Sequence, residues 1–260
     1  MKIFALKFYL MNIIENWHLP LNISIRRKIG RAVGNWKLLN HNDRVLIGLS
    51  GGKDSLLLLH ALDELSKRSP VKFQIAALTV KIQGMNLTQL QNYCEAKKIQ
   101  YFVQNSDIME IIKIRNEKSP CSLCANMRRG ILSSFAAENG YNKIALGHSI
   151  DDAVETFFLN LFQTGRAKSF KPLSFMSRTA VTVIRPLVLL SEAAIIDEVN
   201  RLTLPVLKTP CPYANITKRQ NIREFISQLK INTPDLCNKI IHALETLSSD
   251  DNWRPADDPE

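Results

Sequence analysis

The sequence predicts an α/β fold in which a parallel twisted sheet carries helices on both faces, with an N-terminal helical extension and a helical C-terminal part. Three observations lead there. Short apolar runs alternate along the chain with longer runs of helical periodicity, as successive strand–helix units require. The first such unit, "RVLIGLSGGKDSLLLLHAL" from Arg44 to Leu62, switches from one pattern to the other at two adjacent glycines. Finally, 260 residues with 45% hydrophobic content are enough to bury a core of domain size.

Taken in order, a basic amphipathic helix is expected around Ile23 to Leu39. "RVLIGLS" then reads as a buried strand and Lys53 to Ser66 as a helix. "FQIAALTV" is a second strand, Leu87 to Lys98 a helix and "QYFVQN" a third strand. Cys121 to Asn139 is helical, "KIALGHS" is a fourth strand and Asp151 to Phe162 a helix. "VTVIRPL" is a fifth strand, followed by a helix from Ser191 to Leu202. The chain thus divides into an N-terminal helical extension (1–40), an α/β domain (41–205), a C-terminal helical segment (206–247) and an acidic tail (248–260). No internal repeat or low-complexity linker interrupts it. Ligands of such sheets bind beyond the carboxyl ends of the strands. Ser50 to Ser55, His148 to Asp152 and the loop before Cys121 all fall at that edge.

The formal charge is +10. It is unevenly spread, because the tail holds Asp250, Asp251, Asp257, Asp258 and Glu260 against Arg254 alone. The remaining residues carry 33 bases against 19 acids. A body so charged attracts nucleic-acid phosphates, with an affinity that falls as salt rises. The opening "MKIFALKFYLMNII" is apolar, but Lys7 interrupts it and no small-residue cleavage site follows, so it reads as an amphipathic segment packed on the body. No other apolar run approaches ~20 residues, and a soluble, cytoplasmic protein without membrane partners is expected.

Gly51 and Gly52 let the backbone turn sharply and bring its amides close to a ligand. The helix that starts near Lys53 aims its unpaired amides and positive dipole end at the same place. Ser50 and Ser55 add hydroxyls, Lys53 adds a point charge, and Asp54 is suited to a metal ion or a helix cap. Together these residues make a phosphate cradle. It is not the common P-loop, which has four residues between its glycines.

Five cysteines in a chain of intracellular character argue for metal binding over a disulfide framework. In "PCSLCANMRRG", Cys121 and Cys124 share one face at a helix start, where the dipole favours the thiolates that metals require. Cys211, between prolines in "TPCPYA", is suited to offer a third ligand from a rigid loop. Three thiolates leave one iron of a four-iron cluster open, whereas structural zinc wants four ligands. The spacing admits either metal. Cys94 and Cys237 read as core residues. Arg128 and Arg129, one turn beyond Cys124, are placed to meet RNA phosphate or to form a solvated face.

The hexapeptide "SGGKDS" after a hydrophobic strand is similar to the signature of the PP-loop ATP pyrophosphatases, of adenine-nucleotide α-hydrolase-like fold. With "CSLCANMRRGIL", "KIALGHSIDDAVETFFLNLF", "VIRPL" and the later "PCP", the chain resembles the tRNA 2-thiocytidine synthetase family (TtcA) from about Ile25 through Glu245. The resemblance implies ATP with Mg2+ and a [4Fe-4S] cluster held by Cys121, Cys124 and Cys211. It implies replacement of the C2 oxygen of an anticodon-loop cytidine in tRNA by sulfur, with a sulfur donor such as a cysteine desulfurase. A homodimer is compatible with it. Ser50, Gly51, Gly52, Lys53, Asp54 and Ser55 become the ATP loop, and His148, Asp151 and Asp152 its nucleotide edge. Lys53, Asp54 and Asp151 carry the catalytic expectation, and either Asp151 or Asp152 serves magnesium or caps the following helix. The pattern departs at Ser149 and Ile150, where the family usually has a second histidine and an arginine. It departs again at Lys81 and Ile82, where relatives tend to be acidic and polar. Relatives that thiolate uridine tend to carry further CxxC pairs, and this sequence has one. A PP-loop transferase for another base or a small substrate, and a non-catalytic RNA-binding relative, are the alternatives.

Overall fold

The computed structural model describes residues 14–117, 119–207 and 218–246, with backbone alone at 218 and 219. Cys211, the first 13 residues and the acidic tail lie outside the described residues. The packing forms two compact units: Met1–Ser149 with Lys171–Thr217, and Ile150–Phe170 with Lys218–Glu260.

The first unit is built on β1 (Arg44–Gly48), β2 (Gln74–Lys81), β3 (Gln100–Asn105), β4 (Lys143–Ala145), β5 (Leu173–Met176) and β6 (Val181–Ile184). They form one six-stranded sheet in the order β3-β2-β1-β4-β6-β5. The apolar run of β1 is central because it is flanked on both sides, with Val45 opposite Ile75 of β2 and opposite Lys143 of β4, both parallel. That shared direction aligns the carboxyl ends of β1, β2 and β4 at one edge. The sheet is not wholly parallel, since β5 runs antiparallel to β6 as an edge strand, with Ser174 opposite Val183. This strand was not among the sequence expectations. The expected strand "KIALGHS" is also shorter: Leu146 N still donates to Ile184 O (3.0 Å), and the chain then turns tightly, with His148 N donating to Leu146 O (3.0 Å).

The helices of this unit are α1 (Ile23–Asn35), α2 (Lys53–Arg68), α3 (Thr88–Ala96), α4 (Ile108–Ile114) and α5 (Pro120–Glu138). A further one, separated from these in sequence by a helix of the second unit, is α7 (Glu192–Arg201). One apolar core joins β1 to the leucine run of α2 and to Ile195 and Val199 of α7. The other core packs Leu132 and Ala136 of α5 and Ile108 and Ile112 of α4 against the opposite face. Helices therefore cover both faces, as the near-continuous apolar strands demand.

The N-terminal segment is fastened to this body. Asn22 caps α1 by accepting from Ser24 N (3.0 Å), and Ile25, Ile29 and Ala32 are its buried face. Leu21 N donates to Glu64 of α2 (2.7 Å), Asn22 N donates to Glu198 of α7 (2.7 Å), and Trp17 Nε1 donates to Thr203 O (3.0 Å). The base of β4 is held by the buried pair Lys143–Asp43 (2.7 Å).

The second unit comprises α6 (Ile150–Thr164), α8 (Lys218–Asn232) and α9 (Leu236–Thr246). Its core is Ile150, Val154, Phe158, Ile226 and Cys237. The packing thus takes Ile150–Phe170 out of the expected 41–205 domain, because the apolar face of α6 finds its partners on α8 and α9. Among the described residues no helix is long and apolar enough to cross a membrane.

Candidate active site

The glycine junction lies at the carboxyl end of β1. Leu49 N continues the ladder to Leu78 O (2.9 Å), and Leu49 O accepts from Thr79 Oγ1 (2.6 Å), fixing the end of the strand. Ser50 and Ser55 close the loop. Ser50 N donates to Ser55 Oγ (3.2 Å), the two hydroxyls are 3.1 Å apart, and Ser55 Oγ donates to Gly52 O (2.9 Å). Gly51 has φ +84°, a left-handed conformation that favours glycine. A Cβ there would also meet the Leu207 side chain at 3.0 Å. Gly51 O accepts from Leu207 N (2.9 Å), which ties this loop to the segment after α7. Gly52 caps α2 without a side-chain hydrogen bond, so the first-turn amides are left for a ligand.

Lys53 is held by two carboxylates, with Nζ 3.0 Å from Asp54 Oδ2 and 2.9 Å from Glu192 Oε1. Burial disfavours its charge, but the hydrogen bond to Glu192 and the charge of Asp54 outweigh burial and raise its pKa above the ordinary lysine value. Glu192, in the first turn of α7, is a site neighbour that the sequence reading did not single out. A first-turn acid is ordinary helix chemistry, and nothing local marks it as a partner for Lys53.

The β4–α6 connection comes against this junction. Gly147 lies so close that a Cβ there would stand 2.8 Å from the Asp54 carbonyl carbon and oxygen. Next to it, His148 Nδ1 accepts from Arg185 Nε (3.1 Å). Arg185 is buried at 6% exposure, and Nη1 donates to Lys171 O (2.6 Å). Burial first, and the charge of Arg129 second, bring its pKa down to about 10. The motif "VIRPL" had flagged this residue without giving it a role.

These parts border a cleft of about 250 Å³ lined by Ser50, Asp54, Ser55, His148, Arg128 and Arg129, with an apolar floor that includes Leu78 and Val80. The buried Nε of Arg128 has no hydrogen-bond partner among the described residues. An orphaned guanidinium nitrogen, hydroxyls and uncapped helix amides form a donor set for anionic oxygens. A nucleotide phosphate fits the hydroxyls and amides of the loop, and the Arg128 nitrogen suits a second phosphate beside it.

Helix α5 contributes both to the cleft and to the thiols. Its first turn carries Cys121, exposed, and Cys124, half-buried, after Pro120. Ala125, Arg128, Arg129 and Leu132 of the same helix line the cleft. Cys124 is therefore adjacent in sequence to a lining residue and about 6 Å along the helix axis from Arg128. Two thiols on one open helical turn suit a thiophilic metal group. Among the described residues no cluster of three or more metal-ligating side chains forms. The expected third thiol, Cys211, lies outside them. Leu207, tied to Gly51, precedes it by four residues, a chain length of at most about 14 Å.

Asp151 and Asp152 belong to the first turn of α6 in the second unit. Asp151 Oδ1 accepts from Lys230 Nζ (2.7 Å) and lies 3.9 Å from Cys237 Sγ. Burial pushes the Cys237 thiol pKa up. Cys94, at 1% exposure, is pushed to about 12 by burial. Both are core thiols.

Comparison with known proteins sharpens the picture. The model of a family described as the PP-loop domain matches residues 21–230. The chain is 35% identical over 239 residues to the tRNA-cytidine(32) 2-sulfurtransferase of Pelobacter propionicus, covering 90% of this chain and 89% of that one. The protein of the same name from Geobacter sulfurreducens is 34% identical over 226 residues, 85% of this chain and 88% of that one. Among solved structures, the U34-tRNA thiolase NcsA from Methanococcus maripaludis, with its [4Fe-4S] cluster, matches with a TM-score of 0.71 at 27% identity. That match covers 86% of this chain and 79% of that one.

Proposed function

The chain belongs to the PP-loop domain family and, within it, to the tRNA 2-thiocytidine synthetases, and on that premise we propose that it activates the C2 oxygen of a tRNA cytidine with ATP and replaces it with sulfur. Following its relatives' name, the nucleoside is cytidine 32 of the anticodon loop. The observation that carries the reading is the double duty of α5, which bears Cys121 and Cys124 and lines the cleft of the glycine loop within the same turns.

The C2 oxygen of a pyrimidine is a poor leaving group until it is adenylated. It attacks the α-phosphorus of ATP, the bond to the β-phosphate breaks, and pyrophosphate departs. Ser50, Ser55 and the amides of Gly51 to Ser55 hold the phosphates. Lys53 exchanges its carboxylate partners for phosphate oxygens and offsets the charge that builds on the leaving group. Asp54 is the residue of the loop suited to Mg2+. Cys121, Cys124 and Cys211 would hold the [4Fe-4S] cluster, which when bound supplies the sulfur that takes the place of the oxygen as AMP leaves. Arg128 and Arg129 grip RNA phosphate beside the thiols and keep the activated base within reach. A cytoplasmic setting, a cysteine desulfurase as sulfur donor and a homodimer complete the reading.

The test is nucleoside analysis of tRNA from cells with and without this gene. The reading expects 2-thiocytidine only in its presence, mapped to position 32. Loss of a 2-thiouridine instead would favour the chemistry named for the Methanococcus thiolase, and no change in either nucleoside would sink both.

A further inference from the structure

We propose that Arg185 is a positioning residue that locks His148 as its Nε2–H tautomer, so that His148 meets the nucleotide as a hydrogen-bond donor and not as a base. The inference rests on reading the cleft as the nucleotide site. Arg185 follows β6 at the point where the edge strand β5 begins to pair. Its backbone N donates to Pro172 O (2.9 Å), while Nη1 donates to Lys171 O (2.6 Å) and Ser174 Oγ (3.3 Å). The backbone bond anchors the residue, and the two bonds from Nη1 to the approach and start of β5 hold the guanidinium from one side. From the other side its Nε–H reaches His148 Nδ1 at 3.1 Å.

A guanidinium has donors and no acceptor. Nδ1 must therefore present its lone pair, and the proton of the neutral ring sits on Nε2. With a pKa of about 10, Arg185 keeps its charge and its donor at neutral pH. A second proton on the ring would set an Nδ1–H against an Nε–H, two donors facing each other beside a positive charge. His148 itself borders the cleft together with Ser50, Asp54 and Ser55. The hairpin formed by β5 and β6 thereby acquires a task in the site: it aims the arginine that sets the histidine.

The tautomer is read directly by nitrogen NMR of the full chain labelled with 15N-histidine, with His148 assigned by the signal that His148→Gln removes. The expected signature is a pyridine-like Nδ1 and a pyrrole-like Nε2, giving way to a mixture of tautomers in Arg185→Met. A protonated Nδ1 in the unmodified protein overturns the proposal, and this measurement stands even if Arg185→Met fails to fold. The role is read by kinetics. Glutamine keeps an N–H near the Nε2 position and supplies no base, so His148→Gln should hold kcat within about tenfold, while His148→Ala loses on the order of 10²-fold. Equal, severe losses in both variants would refute the donor role. Because the NMR readout needs neither ATP nor tRNA, its failure is separable from a failure of the thiolation reading, which nucleoside analysis reports.

Discussion

Replacing Gly147 with alanine tests how tightly the start of α2 and the β4–α6 connection are held together beside the proposed nucleotide site. Its backbone lies outside the left-handed region, so alanine is conformationally allowed and the added methyl acts only by its volume. That methyl would stand 2.8 Å from the carbonyl carbon and oxygen of Asp54 and 3.0 Å from Ser55 N. Ordinary contact begins near 3.4 Å, so the first turn of α2 and the β4–α6 connection must part by about 0.6 Å. The atoms in the way are backbone, which cannot swing aside as a side-chain tip can. Overpacking of this kind costs about 1–3 kcal/mol, which lowers Tm by several degrees in a chain of this size. The same displacement separates His148 from Ser50 and Ser55, and misplacing reacting groups by about 1 Å costs up to about 10²-fold. The expected result is a 10- to 100-fold fall in kcat/KM for ATP, read by AMP formation in the presence of tRNA, together with a lower Tm by differential scanning calorimetry. Gly30→Ala is the control, since a Cβ there meets nothing within 4 Å. It should match the parent in turnover and gain up to about 1 kcal/mol from helix propensity. A Gly147→Ala protein with the parent's Tm and turnover would refute the close approach as a constraint.

Other expectations follow from neighbouring groups. Lys53→Ala should slow pyrophosphate release by on the order of 10²-fold, and unchanged turnover rejects the phosphate cradle. Glu192→Gln removes a competitor for Lys53 at a partly exposed pair, so KM for ATP should fall about two- to threefold; a higher KM would show that the carboxylate assists binding. Anaerobically purified protein should hold about four irons per chain, and Cys211→Ala should lose them together with thiolation while ATP binding survives. Zinc alone in the parent protein, or full iron in the variant, contradicts that ligand set. His60 is buried between Tyr93 and Leu19 O, and burial, then the charge of Lys97, hold its pKa near 4 against 6.5 unfolded. The unfolded chain therefore binds the extra proton first: this stabilisation is complete above pH 6.5 and is lost as pH falls toward 4, amounting to about 3 kcal/mol. Urea unfolding of the parent and His60→Gln across that range should show the variant losing this part of the slope.

The turn from Ser50 to Ser55 was legible because its geometry is local: two glycines, a helix start and paired hydroxyls fall within six residues. Helices α2 and α5, and strand β3 in full, were legible from periodicity. What the sequence hid depends on distant partners. The four residues "LSFM" of β5 are too few for alternation to mark a strand, and they pair only against β6. The hydrophobic face of α6 announces burial, but its pattern is silent on whether the sheet or α8 and α9 will cover it. Arg185 at a strand end before Pro186, and Glu192 in a helix first turn, each satisfy a bland local rule. Their value comes from His148 and Lys53, which lie 37 and 139 residues earlier.

The bond from Leu207 N to Gly51 O changes how variants of the glycine loop should be interpreted. Gly51 turns the chain and its carbonyl also holds Leu207, which precedes Cys211 by four residues in the sequence. A bulkier residue at Gly51 would collide with Leu207 and loosen that mooring. Under the proposed ligand set, iron missing from such a protein would then report a slipped anchor, and poor nucleotide turnover and a pale preparation would share one cause.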